Sequence, residues 1–166
     1  MNTGYHNVYD DDQRASAYAR LEFPGTYYLA FRDLPSIFRR HVRGTRALDF
    51  GCGAGRSTRY LRDLGFDAVG VDISRPMLEE ARKRDPEGDY RLVDESGPGD
   101  LKGAPFDLIL SAFTFDNFPG LGERSNSLES LRSLLSEQGR IVNIVSAPEI
   151  YVNEWVSFST RDYPEN

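Results

Sequence analysis

One cysteine, two histidines, no apolar run near 18 residues and no surplus of positive charge mark this 166-residue chain. Each shortage excludes something. A lone Cys52 cannot form an intrachain disulfide, which fits a reducing cytoplasm. His6 and His41 stand far apart in sequence, so a His-based metal site is not expected. Without a long apolar segment or a signal peptide, no membrane span and no membrane partner are expected. A net charge of −6 supplies no basic field to gather nucleic-acid phosphates, so no nucleic-acid partner is expected either. The cluster Arg39, Arg40, His41, Arg43 and Arg46 reads as a solvated helix end. There is no internal repeat or low-complexity tract. At 39% hydrophobic residues the composition suffices for one domain with one core.

What is present is concentrated in Arg46-Ala47-Leu48-Asp49-Phe50-Gly51-Cys52-Gly53-Ala54-Gly55-Arg56-Ser57-Thr58. An apolar strand carrying a carboxylate runs into three glycines at alternate positions and then into a helix. Glycine is required where backbone lies against a ligand or takes φ > 0, and such a turn is expected to aim unpaired amide N–H groups at its ligand. Asp49 precedes the first glycine, where it would repel a phosphate and attract an ammonium. Twenty-one residues after Gly51, the strand Ala68-Val69-Gly70-Val71-Asp72 also ends in a carboxylate, suited to a ribose diol. Asp72 fits both a dinucleotide and S-adenosylmethionine, whereas Asp49 favours the latter. Arg56 stands where G-x-G-x-x-G would place its third glycine.

Leu48-Asp49-Phe50-Gly51-Cys52-Gly53-Ala54-Gly55 and Val71-Asp72-Ile73-Ser74 resemble the first motif and the second-strand end of the class I, Rossmann-like, S-adenosylmethionine-dependent methyltransferases. The likeness runs from about Arg46 to Val145, with weaker small-molecule-type likeness in the flanks (21–26 and 154–166). It implies S-adenosyl-L-methionine as donor, S-adenosyl-L-homocysteine as product and a small-molecule acceptor.

The chain beyond the motif alternates strand and helix, which predicts an α/β, three-layer αβα sandwich around a mainly parallel sheet. Strands are expected at about 46–50, 67–72, 89–94, 106–112 and 140–146, and helices near 55–64, 75–84 and 123–135. Ser74 with Pro76 opens the second of these helices. Leu128, Leu131, Leu134 and Leu135 read as a core-facing stripe ended by Gln138-Gly139. Residues 96–104 are rich in Gly and Pro and predict a short turn.

Residues 1–45 read as a helical, polar cap, with Asp10-Asp11-Asp12 at a helix start, Phe23-Pro24-Gly25 as a break, Thr26 capping a segment from Tyr27 to Leu34, and Pro35-Ser36 restarting a helix that Gly44 ends. The binding core is placed at 46–146. Residues 147–166, with Tyr151, Trp155, Phe158 and Tyr163, form an aromatic tail. The family usually adds a helix and an antiparallel strand pair after the fifth strand, so the resemblance implies a truncated form. The fifth strand would then be an exposed edge open to a homodimer.

The resemblance assigns roles residue by residue. Gly51, Cys52, Gly53 and Gly55 would wall the donor, with Asp49 near its amino group and Asp72 on its ribose. Ile73 and Met77 would line the adenine, though both also read as core. Asp94, with Glu95 beside it, matches the acid that accepts the adenine amino hydrogen, or else caps a turn before Gly97-Pro98. The fourth strand's end, Ser111-Ala112-Phe113-Thr114-Phe115-Asp116-Asn117-Phe118-Pro119, would face the methyl group. It lacks Asn-Pro-Pro-Tyr, which speaks against methylation of base amino groups. Asp116 or Asn117 would orient the acceptor, act as base or simply cap the next turn; Phe113, Phe115 and Phe118 would line a pocket or join the core. In the cap, Arg32 would pair with the donor carboxylate and Tyr28 would close over the donor, or both are solvated surface. Two other functions compete: a non-catalytic donor-binding or interaction protein, and an NAD-dependent oxidoreductase.

Overall fold

The computed structural model describes residues 7–21, 27–94, 97–99, 101 and 104–151. Its centre is a five-stranded, all-parallel sheet of order β3-β2-β1-β4-β5. The strands are β1 (Arg46–Phe50), β2 (Asp67–Asp72), β3 (Asp89–Leu92), β4 (Phe106–Ala112) and β5 (Leu135–Ile144). Helices α1 (Asp12–Ala19), α2 (Tyr27–Phe31) and α3 (Leu34–His41) precede the sheet. Helices α4 (Arg56–Asp63), α5 (Arg75–Arg84) and α6 (Leu121–Ser133) follow β1, β2 and β4.

Strand alternation builds the layers. Ala47, Ala68, Leu108 and Leu110 pack with Leu61 of α4 and with Phe31, Leu34 and Phe38 of α2 and α3. Their sequence neighbours Leu48, Val69 and Ile109 turn to the other face and pack with Leu131 and Leu134. Period-2 side-chain direction therefore gives both faces an apolar cover, as a parallel sheet requires. The chain walks outward from β1 through β2 to β3, then returns to β4 on the other side of β1. This reversal opens a crevice at the carboxyl ends of β1 and β4.

The ends of elements depart from expectation in informative ways. Helix α6 stops at Ser133, and the Leu134 N–H closes a tight final turn onto Leu131 O at 3.1 Å. Leu135 already pairs with Phe106 in the sheet, and a register shift separates that pair from Leu108↔Arg140. Gly139 therefore lies in a strand rather than ending a helix; a Cβ there would come within 2.7 Å of the Phe106 carbonyl. Of the expected stripe, Leu131 and Leu134 are buried, but Leu128 is exposed. Strand β5 thus runs from 135 to 144, and Val145 is exposed. Strand β3 ends at Leu92, while Asp94 makes an isolated antiparallel bridge to Gly97. No helix occurs among the described residues between β3 and β4.

In the amino-terminal segment, Asp11 caps α1 by accepting from Arg14 N at 2.8 Å. The expected stretch from Tyr27 to Leu34 divides into α2 and α3 at a turn where Arg32 and Asp33 pair with each other, since Pro35 has no N–H with which to continue α2 and starts α3 instead. That pairing leaves Asp33 at the N-cap of α3 without a side-chain cap bond. The break expected at 23–25, Thr26 and the aromatic tail from 152 onward lie outside the described residues. Ser74 does cap α5, accepting from Met77 N at 3.4 Å.

Leu48 is fully buried at the middle of the sheet. Leu48→Ala is expected to cost about 2–5 kcal/mol of stability in urea unfolding, by lost burial and the cavity left behind.

Candidate functional site: the glycine turn and the ends of β1, β2 and β4

The pairing Phe50↔Val71 brings β1 and β2 to a stop at the same level. The turn that follows is bolted to β2. Gly51 N and Cys52 N both donate to Val71 O at 2.9 Å, and Gly53 N donates to Asp72 Oδ2 at 2.8 Å. Gly55 N closes back onto Cys52 O at 2.9 Å. The unpaired amides expected from the sequence are thus engaged inside the protein. Three left-handed glycines make this possible, with φ of +73°, +52° and +78° at 51, 53 and 55. A Cβ on Gly51 would strike the Thr114 side chain, and one on Gly55 would approach the Tyr90 hydroxyl at 2.6 Å. At Gly53 the nearest atoms are flexible or ring-edge ones, Met77 Cε at 3.2 Å and Tyr18 Cε1 at 3.5 Å.

The two acids differ in their surroundings. Asp49 is completely buried; its Oδ2 accepts from Ser57 Oγ at 2.7 Å and Thr58 Oγ1 at 2.6 Å, while Oδ1 has no hydrogen-bond partner. Desolvation pushes its pKa up to about 6, against the pull of those two hydroxyls. Asp72 accepts from Gly53 N through one oxygen and from Ser74 N at 2.8 Å through the other. Burial raises its pKa as well, opposed by these backbone donors. Each oxygen of Asp72 keeps acceptor capacity for a further donor. Cys52 is buried and its thiol is held well above its ordinary pKa by burial, so it packs rather than reacts.

Across the crevice, Thr114 Oγ1 donates to Phe50 O at 2.9 Å and ties the end of β4 to the end of β1. Phe113 alone among the described non-glycine residues has a positive φ, +63°. Its N–H donates to Ile144 O at 2.8 Å, and its carbonyl accepts from Asn117 Nδ2 at 3.1 Å. Asp116 accepts from Ser146 N at 3.0 Å and Ser146 Oγ at 2.7 Å, fastening this loop to the end of β5. Asp116 and Asn117 therefore hold turns. Phe115 is buried in the core and Phe118 stacks on it at 5.1 Å, whereas Phe113, at the end of β4, is half-buried and packs against the opposite face's core. Ser111 is fully buried in β4.

Other expected residues lie further out. Met77 is buried beside Gly53, and Ile73 is half-buried. Asp94 is exposed at a turn where its backbone carbonyl accepts from Gly97 N at 3.1 Å; Glu95 lies outside the described residues. Arg32 is at the surface, bonded to Asp33 at 2.9 and 3.0 Å, and Tyr28 is exposed. The neighbouring Tyr27 is the one that reaches inward: its ring centroid lies 3.7 Å from the Arg56 guanidinium carbon and 5.5 Å from Phe113. In the sequence, Arg56 stands out only as the residue in place of a third glycine. Here it is buried, donating to Leu21 O at 2.6 Å and Tyr18 Oη at 3.2 Å. The one signal for it was an arginine where a helix start disfavours positive charge. Among the described residues no cluster of His, Cys, Asp or Glu is arranged to hold a metal ion, and no helix is long and apolar enough to cross a membrane.

The profile of a family described as methyltransferase domain matches residues 48–141, more than half of the chain. A malonyl-[acyl-carrier protein] O-methyltransferase of Pseudescherichia vulneris is 32% identical over 124 residues, 72% of this chain and 47% of that protein. An 18S rRNA (guanine-N(7))-methyltransferase of Bos taurus is 45% identical over 64 residues, 39% of this chain and 23% of that protein. The chain thus spans half or less of the length of these curated relatives. Among solved structures, S-adenosylmethionine-bound CalS10, an amino pentose methyltransferase of Micromonospora echinaspora, superposes with a TM-score of 0.65 at 26% identity, covering 87% of this chain and 60% of that one.

The buried acid has a measurable consequence. Between about pH 4 and pH 6 the unfolded chain releases the Asp49 proton while the folded chain keeps it, so stability falls as pH rises through that window. The full penalty above pH 6 is about 3 kcal/mol. Asp49→Asn retains an acceptor for Ser57 and Thr58 and cannot ionise. Urea unfolding at pH 4 to 7 should show the variant gaining on the wild type as pH rises.

Proposed function

Because this chain belongs to the class I S-adenosylmethionine-dependent methyltransferases, we propose that it transfers a methyl group from that donor to a small-molecule acceptor. The observation that carries this reading is the polarity of the crevice. The amides of Gly51, Cys52, Gly53 and Gly55 are already bonded within the protein, and a carboxylate oxygen, Asp49 Oδ1, is among the unpartnered buried side-chain atoms near them. That combination suits an ammonium and disfavours a pyrophosphate, which would need free N–H groups. It argues against an NAD-dependent oxidoreductase.

In this reading Asp49 meets the donor's amino group, directly or through water, and Asp72 accepts the ribose hydroxyls. Ile73 and Met77 face the adenine, with Asp94 and Glu95 at its far edge. Gly53 offers the flat backbone against which the nucleoside lies. Arg32 would exchange Asp33 for the donor carboxylate, and Tyr28 closes the outer surface. The bound donor supplies an electrophilic methyl group on a sulfonium sulfur. Ser111 and Phe113 stand at the strand end where donor and acceptor must be held in line, and exclusion of water there favours a reaction that disperses charge. Residues 1–45 act as the cap, 46–146 as the donor-binding core and 147–166 as an aromatic tail. The negative net charge supports a small-molecule acceptor over a nucleic acid. A buried, unreactive single thiol suits the cytoplasm, and the outer edge of β5 is where a second copy would pair.

A second reading has its own support. Asp116 and Asn117 are committed to turn bonds, so a chain that binds donor without turnover also fits. Calorimetry with S-adenosylhomocysteine and NADH separates the ligand classes, and methyl transfer assayed in parallel separates enzyme from binder. S-adenosylhomocysteine should bind and NADH should not. Asp72→Ala should weaken binding by about 1–3 kcal/mol, the scale for losing a charged hydrogen-bond partner. Affinity in the wild type should rise as pH passes through about 6, where Asp49 ionises, and this rise should vanish in Asp49→Asn.

A further inference from the structure

Arg56 is an expensive residue in an odd place. It opens α4, where the helix dipole disfavours a cation, and it is buried to 8% exposure. Beside the nearby charge of Asp49, groups far away in sequence compensate it. Its guanidinium donates to Tyr18 Oη and to Leu21 O, and the Tyr27 ring covers one face at 3.7 Å. A planar cation with forked donors suits this set, since one face can stack on a ring while the edge bonds oxygens. Burial pushes the Tyr18 hydroxyl up to about 12, so it stays a neutral acceptor.

Those groups flank the crevice. Tyr18 lies against Gly53 and packs edge-on with Tyr9, whose carbonyl accepts from Ser74 Oγ at 2.7 Å. On the other side Tyr60 Oη donates to Phe31 O at 2.8 Å and anchors α2. Between these anchors, Arg56 joins α1 to α2 over the glycine turn. Tyr27 then continues to Phe113, the residue whose backbone is held in the left-handed region at the end of β4. A non-glycine residue in that region persists where its surroundings over-determine it, and Tyr27 is one of those surroundings.

We propose that Arg56 is a positioning residue that latches the amino-terminal segment over the glycine turn, and that Tyr27 carries this closure to Phe113, so that cap closure shapes the acceptor end of β4. The role in transfer rests on the methyltransferase reading; the latch itself does not. Opening the latch admits donor to the face of Gly53, and closing it completes the wall next to Phe113.

Amide hydrogen exchange on the whole chain without ligand tests the latch independently of any activity. Arg56→Ala should speed exchange in 12–20 and 27–31 by about 10- to 100-fold, the range for losing hydrogen bonds to a charged group. Protection in β1, β2 and β4 should stay at the wild-type level, which reports an intact fold. Tyr27→Phe keeps the ring and should match the wild type, whereas Tyr27→Ala should loosen both α2 and 113–117. Low-millimolar guanidinium chloride should restore cap protection in Arg56→Ala, an effect that general destabilisation would not give. Unchanged cap exchange in Arg56→Ala overturns the latch, and unchanged exchange at 113–117 in Tyr27→Ala overturns the coupling. With S-adenosylhomocysteine as probe, Arg56→Ala should dissociate it faster; no binding by the wild type would instead count against the methyltransferase reading and leave the exchange result standing.

Discussion

The fastening of the glycine turn to the end of β2 is the constraint from which the site follows. Val71 O takes two amides, from Gly51 and Cys52, and Asp72 takes those of Gly53 and Ser74. One carbonyl and one carboxylate thereby fix the path of the turn, the start of α5 and the orientation of the second acid together. The in-register pairing of Phe50 with Val71 makes it possible, because the two parallel strands end side by side. Thr114 extends the same junction to β4 through the Phe50 carbonyl and fills the space that a side chain at Gly51 would need.

Holding two carboxylates near this junction works against stability. Asp49 is sealed from water with one oxygen unpartnered, and desolvation keeps its proton on at pH values where a free carboxyl has lost it. Ser57 and Thr58, in the first turn of α4, offset part of that cost. The left-handed backbone at Phe113 and the buried guanidinium of Arg56 are further departures from what packing alone would select. They converge on the crevice between β1 and β4, whereas the sheet beneath is an ordinary apolar core of Leu, Ile, Val and Phe. Local destabilisation at a functional crevice, carried by a well-packed scaffold, is a common division of labour in α/β proteins.

Much of the fold could be read in advance. The bounds of β1, β2, β4 and α5, and the Ser74 cap, were legible because periodicity, glycine and capping chemistry act over a few residues. Errors fell where distant contacts decide. Leu135 and Gly139 carry helix-compatible and helix-ending signals, yet Phe106 draws both into the sheet. Arg32, bonded to its chain neighbour Asp33, and Tyr28 both lie at the surface, while Tyr27 reaches Arg56 and Phe113, contacts between distant parts of the chain that no local pattern marks.

Sequence alone determined the alternating α/β order, the left-handed glycine turn and the presence of two acids at the ends of the first two strands, since each depends on near neighbours along the chain. Tertiary structure alone decided that the turn's amides are bonded to β2, that Asp116 is fastened to Ser146 at the end of β5, and that Arg56 clasps α1 to α2. Those outcomes rest on partners about 20 to 40 residues away, and no local pattern encodes which partner wins.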